Sequence, residues 1–147
     1  MMSGEGALVR DAMKENVITI ESGDSIKDAA IKMDDADIGA IIVTENNLPI
    51  GILSERDFVR RVYAKEIPIS SLVSEVMSKP LITIGPDETV WELSHLMKTK
   101  NIHKVPVIEN DNLIGIVTNT DLVSLASLGS DSEMRRICDQ IFSRIQN

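Results

Sequence analysis

The stretch that decides the fold is Ile50-Gly51-Ile52-Leu53-Ser54-Glu55-Arg56-Asp57, which returns 64 residues later as Ile114-Gly115-Ile116-Val117-Thr118-Asn119-Thr120-Asp121. Each copy is an apolar run that ends in a hydroxyl residue and reaches an aspartate three positions later. This pattern predicts a buried strand that leads into a helix. At the same offset and without a gap, residues 9–59 and 73–123 are identical at 15 of 51 positions. The chain therefore contains two copies of one structural unit.

Each copy predicts the same order of elements: strand, helix, strand, strand, helix. The predicted strands lie at 17–20, 40–44 and 50–54 in the first copy and at 81–84, 105–108 and 113–118 in the second. The helices begin after the capping residues Ser25 and Thr89 and at Asp57 and Asp121. Short helical segments at 8–13 and 71–77 precede the copies, and we call them the lead-in segments.

The length of each copy limits how it can fold. A unit of about 60 residues buries too little surface to be robust alone, so we expect the two copies to pack on each other. The predicted fold class is α/β (α+β), with two pseudo-twofold related β-α-β-β-α units packed sheet to sheet. The predicted domains are residues 7–66 and 67–128, followed by a C-terminal amphipathic helix at 129–147. Cys138 lies in the apolar stripe of that helix, which favours a packed side chain over a reactive thiol.

Composition excludes several classes of function. The net charge is −8 and the pI is about 4.7, which argues against binding to nucleic acid or to anionic lipid because like charges repel. Because the sequence shows no secretory leader and no apolar run as long as about 20 residues, we expect a cytoplasmic protein without a membrane segment. Only four residues are aromatic, so a pocket for a flat ligand would have to use aliphatic side chains.

The inventory of reactive side chains argues against an enzyme. The single cysteine excludes an intramolecular disulfide and a zinc cluster, and His95 and His103 have no partners at metal-ligand spacing. There is no nucleophile elbow, P-loop or dinucleotide-binding glycine pattern. We therefore expect no catalytic residues, no metal and no cofactor.

The repeated Ser/Thr-x-x-Asp ending allows two interpretations. Hydroxyl and aspartate side chains cap helices, and an acidic group suits the positive end of the helix dipole. The same groups could bind a nucleotide, because a carboxylate accepts both hydroxyls of a ribose and the free N–H groups of a helix start can hold phosphate. The double occurrence at a strand-to-helix junction favours nucleotide binding over capping alone.

The linked motifs resemble a tandem pair of cystathionine-β-synthase (CBS) domains, also called a Bateman module. They are Asp11-Ala12-Met13, Glu75-Val76-Met77, Lys104-Val105-Pro106-Val107 and the two Ser/Thr-x-x-Asp endings, and the likeness extends over residues 7–128. It implies a stand-alone, non-catalytic sensor that binds AMP, ADP, ATP or S-adenosylmethionine in clefts between the two domains. It also implies a homodimer and a regulated partner protein of unknown identity. The alternative is a dimerising interaction module without a nucleotide ligand.

The resemblance further implies two pockets, in which the aspartate holds ribose, hydroxyl groups hold ribose or phosphate, and small aliphatic side chains clamp adenine. One pocket would comprise Ser54, Arg56, Asp57, Met77, Ile82, Ile102, His103 and Lys104. The other would comprise Thr118, Thr120, Asp121, Met13, Ile18, Ile38, Gly39 and Ala40.

The two pockets should differ in charge. Residues 34–40 are acidic in the first copy, whereas the aligned residues 98–104 are basic. Arg56, His103 and Lys104 would let the Asp57 pocket prefer phosphorylated adenosine, whereas the Asp121 pocket would bind more weakly or accept a ligand with less negative charge. Lys98 and Lys100 are also explained by the helix dipole. Among the aromatics, we expect Trp91 off the core at a homodimer surface, and Phe58 and Tyr63 in ordinary packing.

Overall fold

The computed structural model describes residues 6–127, which form two compact units. We call residues 16–82 the contiguous unit, and residues 6–15 with 83–127 the composite unit. Each unit combines a small sheet with helices, so the predicted α/β class is confirmed. In the described part of the chain, no helix is both long and apolar enough to cross a bilayer.

The contiguous unit contains β1 (Thr19–Glu21), α2 (Ile26–Ala36), β2 (Ala40–Glu45), β3 (Leu48–Ser54), α3 (Glu55–Asp57) continued by a π-helix (Phe58–Tyr63), and a 3-10 helix (Val73–Glu75). The composite unit contains α1 (Val9–Ala12), α4 (Val90–Lys100), β4 (Lys104–Glu109), β5 (Asn112–Thr118) and α5 (Asn119–Ser127).

The strand pairs repeat in detail. In the contiguous unit β2 lies between β1, to which it is parallel, and β3, to which it is antiparallel. The β2–β3 turn places Asn46 and Asn47 at φ 53° and 67°, and the β4–β5 turn places Asn110 and Asp111 at 51° and 66°. Positive φ at both central residues gives the right-handed twist that a tight hairpin needs, and Asn and Asp tolerate it. Both predicted hairpins are therefore present.

The predicted strand at 81–84 is wrong. Only Ile84 forms a bridge, parallel to Val107, so the composite unit has a two-stranded sheet. The repeat supplies the reason. In the contiguous unit the Ser22 N–H donates to the Thr44 carbonyl oxygen at 2.8 Å. The residue aligned with Ser22 is Pro86, which has no N–H to donate.

The two long helices begin and end alike. The hydroxyl oxygens of Ser25 and Thr89 accept from the N–H groups three residues on, at 3.0 and 3.1 Å, as predicted. The C-caps Asp37 and Asn101 are both left-handed, with φ 54° and 55°. Each helix buries one aliphatic face against its own sheet. The fully buried residues include Ile26, Ala29, Ile41, Ile42, Val43 and Leu53 in the contiguous unit and Val9, Leu93, Val105, Val107, Val117 and Leu122 in the composite unit.

The lead-in segments, which in the structure include the next residue and run over 8–14 and 71–78, are exchanged between the sequence copies. The segment that contains α1 belongs to the composite unit, where Val9 N–H donates to the Glu88 carbonyl at 2.8 Å. The 3-10 helix belongs to the contiguous unit, where Val73 N–H donates to the Asp24 carbonyl at 2.9 Å. The predicted boundaries of 7–66 and 67–128 follow the sequence repeat and assign each lead-in to the copy that follows it. The compact units instead group the first lead-in with the second copy and the second lead-in with the first copy.

Three further predictions concern single residues or the C-terminus. Trp91 is half-buried against the core of the composite unit, so its predicted place off the core is wrong, because its ring adds apolar surface to that core. Phe58 packs on the core of the contiguous unit as expected, but Tyr63 is 86% exposed. The inward positions of this helix are taken by Phe58 and Val62, and Tyr63 points away. The predicted C-terminal helix at 129–147 lies outside the described residues.

Candidate functional site

The strand-to-helix junction of the contiguous unit is built around the carboxylate of Asp57, which is 6% exposed. Oδ2 accepts the Ser54 N–H at 2.9 Å and the Ser54 hydroxyl at 3.2 Å, so this oxygen closes the helix cap. Oδ1 accepts the hydroxyl of Ser78 at 2.9 Å and lies 3.4 Å from Nε of Arg61. The Ser-x-x-Asp motif therefore caps the helix, as one of its two interpretations predicts, but capping uses only Oδ2.

The composite unit repeats this arrangement at Asp121, which is 9% exposed. Oδ2 accepts the Thr118 N–H at 2.9 Å and the Thr118 hydroxyl at 3.0 Å. Oδ1 lies 3.4 Å from the ammonium group of Lys14, whose side chain is largely exposed. In both units, therefore, one carboxylate oxygen caps the helix and the other contacts a lead-in residue.

Each lead-in segment docks on its hairpin through backbone and packing. Ser78 and Ile52 exchange backbone hydrogen bonds of 2.8 and 3.1 Å, and Lys14 and Ile116 exchange two of 2.9 Å. The methionine before each docking residue covers a glycine. A Cβ built on Gly51 would lie 2.6 Å from the sulfur of Met77, and one built on Gly115 would lie 2.6 Å from the sulfur of Met13.

Additional cations hold the lead-in segments. The guanidinium of Arg61 donates to the Met77 carbonyl at 3.0 Å in the contiguous unit. In the composite unit Arg10 donates to Asp87 at 3.0 Å and to Glu109 at 3.2 Å. The hydrogen bond to Asp87 raises the pKa of Arg10 most, burial opposes it, and the negative charge of Asp87 together with the hydrogen bond and charge of Glu109 raise it further. The lead-in segments are therefore anchored by side chains as well as by backbone.

The residues before the middle strands also meet the junction. The Gly39 carbonyl accepts the Glu55 N–H at 3.0 Å in the contiguous unit. In the composite unit the His103 carbonyl accepts the Asn119 N–H at 3.0 Å, and the side chains of these two residues meet at 3.3 Å. Strand pairing places Ala40 opposite Ser54 and Lys104 opposite Thr118.

The structure divides each predicted pocket between the two units. From the first pocket, Ser54, Arg56, Asp57, Met77 and Ile82 lie in the contiguous unit, and Ile102, His103 and Lys104 lie in the composite unit. From the second, Thr118, Thr120, Asp121 and Met13 lie in the composite unit, and Ile18, Ile38, Gly39 and Ala40 lie in the contiguous unit. Each unit by itself gathers the aspartate, the hydroxyl residue, the lead-in methionine and the residues before the middle strand. Arg56 and Thr120 have exposed side chains.

Sequence reasoning missed three residues that touch the carboxylates: Lys14, Arg61 and Ser78. A signal was available for two of them, because Lys14 and Ser78 occupy the same position of the repeat, directly after the methionine. Because one is a lysine and the other a serine, the sequence did not indicate that the two positions have the same role. Arg61 aligns with Leu125 in the second copy, so the repeat gave no indication of its role.

A separate groove of about 420 Å³ opens beside the end of α2 in the contiguous unit. Its lining includes the apolar side chains of Met33, Ile38 and Phe58, together with Asp34 and Glu55. Asp57 is not part of its wall. The acidic rim disfavours phosphate, so this groove is a poorer candidate for a nucleotide than the junction itself. Within residues 6–127, no group of three or more His, Cys, Asp or Glu residues is placed to bind a metal ion.

The comparison with protein families agrees with the geometry. A family model described as the CBS domain matches residues 9–64 and 73–127. The chain belongs to the CBS domain family. As a pair of CBS domains it is a regulatory module, and such pairs are in general non-catalytic.

Individual relatives extend this result. The chain is 35% identical over 114 residues to the CBS domain-containing protein YhcV of Bacillus subtilis, covering 78% of this chain and 81% of that protein. Among solved structures it is similar to a CBS-domain protein of Burkholderia ambifaria described as a putative signal-transduction protein, with a TM-score of 0.75, 27% identity and coverage of 80% and 87%. It is also similar to the CBS domain pair of MJ0100, solved with 5-methylthioadenosine and S-adenosyl-L-methionine, with a TM-score of 0.75, 28% identity and coverage of 81% and 94%.

Proposed function

We propose that this CBS pair is a sensor that binds an adenosine ligand, namely AMP, ADP, ATP or S-adenosylmethionine. The observation that carries the proposal is the pair of equivalent buried carboxylates, Asp57 and Asp121, each at a strand-to-helix junction beside a hydroxyl residue. A carboxylate with one oxygen facing away from its helix cap is suited to accept the hydroxyls of a ribose. The relative MJ0100, which was solved with two adenosine derivatives, supports the ligand class.

Charge near the carboxylates supports a ligand with phosphate at the Asp57 site. Nε of Arg61 lies 3.4 Å from Oδ1 of Asp57, and the planar guanidinium can donate two parallel hydrogen bonds to a phosphate. Partly buried aliphatic side chains near the junction, such as Ile38 beside Gly39, suit a purine in a chain with few aromatics. Binding would shift the conformational equilibrium of the module through its different affinity for two states, which a partner protein would detect.

The test is ligand-induced stabilisation and calorimetric titration with AMP, ATP and S-adenosylmethionine. A ligand at 100 times its dissociation constant adds about 2.7 kcal/mol to the free energy of unfolding. Asp57→Asn should abolish the tighter site and Asp121→Asn the weaker one, whereas Asp35→Asn, an exposed control on α2, should leave both unchanged. Loss of the tighter site in Asp121→Asn would reverse the assignment. Unchanged melting temperatures with every ligand would refute the proposal.

A dimerising interaction module is the second candidate, and the exposed apolar surface of the π-helix favours it. Val59 is 65% exposed and Tyr63 is 86% exposed, and Val59 also borders the 420 Å³ groove. A structurally similar CBS-CP12 protein from bloom-forming cyanobacteria is hexameric, with a TM-score of 0.74 and 28% identity. Light scattering should then show a homodimer that Tyr63→Asp dissociates, while Tyr63→Phe leaves it intact. A monomer at every concentration would exclude this candidate.

A further inference from the structure

The second oxygen of each site carboxylate is occupied by the lead-in segment. In the contiguous unit, Oδ2 of Asp57 already accepts two hydrogen bonds from Ser54, which uses its acceptor capacity. A ribose diol can therefore bind only at Oδ1, where its two hydroxyls would need both acceptor sites of that oxygen. That oxygen holds the Ser78 hydroxyl at 2.9 Å and faces Arg61 at 3.4 Å. The ligand and the lead-in residue need the same atom.

The composite unit presents the same conflict with a different group. Oδ2 of Asp121 is used by the N–H and the hydroxyl of Thr118. Oδ1 faces the ammonium group of Lys14 at 3.4 Å. Two ribose hydroxyls at Oδ1 would take the place of that ammonium group.

We propose that Ser78 and Lys14 compete with the ligand for the site carboxylates, so that binding of a ribose diol releases the lead-in segments. The proposal rests on the proposed function and adds a mechanism of regulation to it. Ser78 and Lys14 are each paired through backbone hydrogen bonds with the hairpin, to Ile52 and Ile116. Loss of the side-chain contact therefore loosens the point at which the lead-in joins the sheet. The lead-in segment is the bistable element that the ligand biases.

The two competitors differ in strength. The Ser78 hydroxyl makes a short hydrogen bond to a buried carboxylate, whereas the Lys14 contact is a longer ion pair with a solvent-exposed ammonium group. Arg61 also holds the Met77 carbonyl, which strengthens docking in the contiguous unit. The Asp57 site is consequently the more strongly inhibited of the two, and it gains more when its competitor is removed.

Adenosine is the probe for the first experiment, because it carries the ribose diol without phosphate charge. Calorimetric titration of the whole chain should show about tenfold tighter binding to Ser78→Ala, from the strength of a hydrogen bond to a charged group. Lys14→Met should bind about two- to fivefold tighter, as for an exposed ion pair. The matched controls Ser70→Ala and Lys27→Met change exposed side chains away from both carboxylates and should leave the affinity unchanged. 2′-Deoxyadenosine, which lacks one hydroxyl of the diol, should show no gain.

Hydrogen exchange is the second readout and reports the lead-in directly. Adenosine should reduce protection of the Ser78 and Lys14 amides while the β2–β3 pairing stays protected. Equal adenosine binding by both variants would show that neither residue competes, and weaker binding would make Ser78 and Lys14 ligand contacts. Either result would overturn the competition and leave the proposed function intact. Increased protection of the two amides on binding would overturn it as well. Absence of adenosine binding by the wild type and by both variants would overturn the competition, and the proposed function fails with it only if AMP, ATP and S-adenosylmethionine do not bind either.

Discussion

Gly115→Ala tests how tightly a lead-in segment docks. The added Cβ would lie 2.6 Å from the sulfur of Met13, 3.0 Å from its Cγ and 3.0 Å from the carbonyl oxygen of Lys14. Carbon atoms in ordinary contact are about 3.5–4.0 Å from their neighbours. The methionine can turn away because its side chain is flexible, but the Lys14 carbonyl cannot, since Ile116 holds it by a backbone hydrogen bond of 2.9 Å.

The lead-in must therefore shift away from the hairpin. Overpacking of this kind costs about 1–3 kcal/mol, which lowers the melting temperature by roughly 3–12 °C in a chain of this size. Gly23→Ala is the matched control, because no atom lies within 4 Å of the Cβ built there. It should change the stability by less than about 0.5 kcal/mol.

Urea unfolding of both variants, with Met13→Ala and the double variant, measures the contact. Because Met13→Ala removes two of the three close contacts, the double variant should be more stable than the sum of the single effects predicts, by at least about 0.5 kcal/mol. If Gly115→Ala is as harmless as Gly23→Ala, or if the two substitutions simply add, the reasoning about tight docking is wrong.

The pKa of Glu88 is raised by a hydrogen bond to Glu92, by the negative charge of Glu92 and by a small effect of burial. Because the raised pKa belongs to the folded state, the stability that Glu88 contributes is complete below the unfolded pKa of 4.5 and is lost as the pH rises through the folded value. Glu88→Gln should therefore raise the melting temperature relative to wild type more at pH 7 than at pH 4, with Glu45→Gln as an exposed control; equal shifts at both pH values would contradict this. Leu93→Ala should cost about 2–5 kcal/mol in urea unfolding, because Leu93 is completely buried, and a cost below about 1 kcal/mol would disprove a tightly packed core there. Asn47→Ala should cost about 1 kcal/mol because φ is 67° at this position, whereas Asn47→Gly should cost little; equal thermal stability of these two variants would count against a strained turn.

The duplicated hairpins and capped helices could be predicted because their signals are local. An apolar run, a turn and a hydroxyl cap are all encoded within ten or so residues, and the repeat contains each of them twice. Ser25 and Thr89 cap the helices that the sequence predicts, and Asp57 and Asp121 lie at the predicted junctions. The strand predicted at 81–84 failed because one copy departs from the other at Pro86, which ends the pairing that Ser22 continues.

The surroundings of the carboxylates could not be predicted because they depend on non-local pairing. Lys14 is 107 positions from Asp121 in the chain, and nothing in its own neighbourhood indicates that contact. The repeat suggested that each lead-in serves the copy that follows it, whereas the structure pairs it with the other copy. Ordinary packing of Tyr63 failed for a simpler reason: its neighbour Val62 already fills the inward position of the π-helix.

The exchange of lead-in segments sets an order of events during synthesis. Residues 16–82 are continuous, so the contiguous unit has all its parts as soon as residue 82 has left the ribosome. Residues 6–15 emerge earlier still, but their partners at 83–127 are made last. At about 5–20 residues per second, the first segment waits several seconds without its native neighbours. Val9, completely buried in the finished protein, lacks the side chains that cover it during that interval.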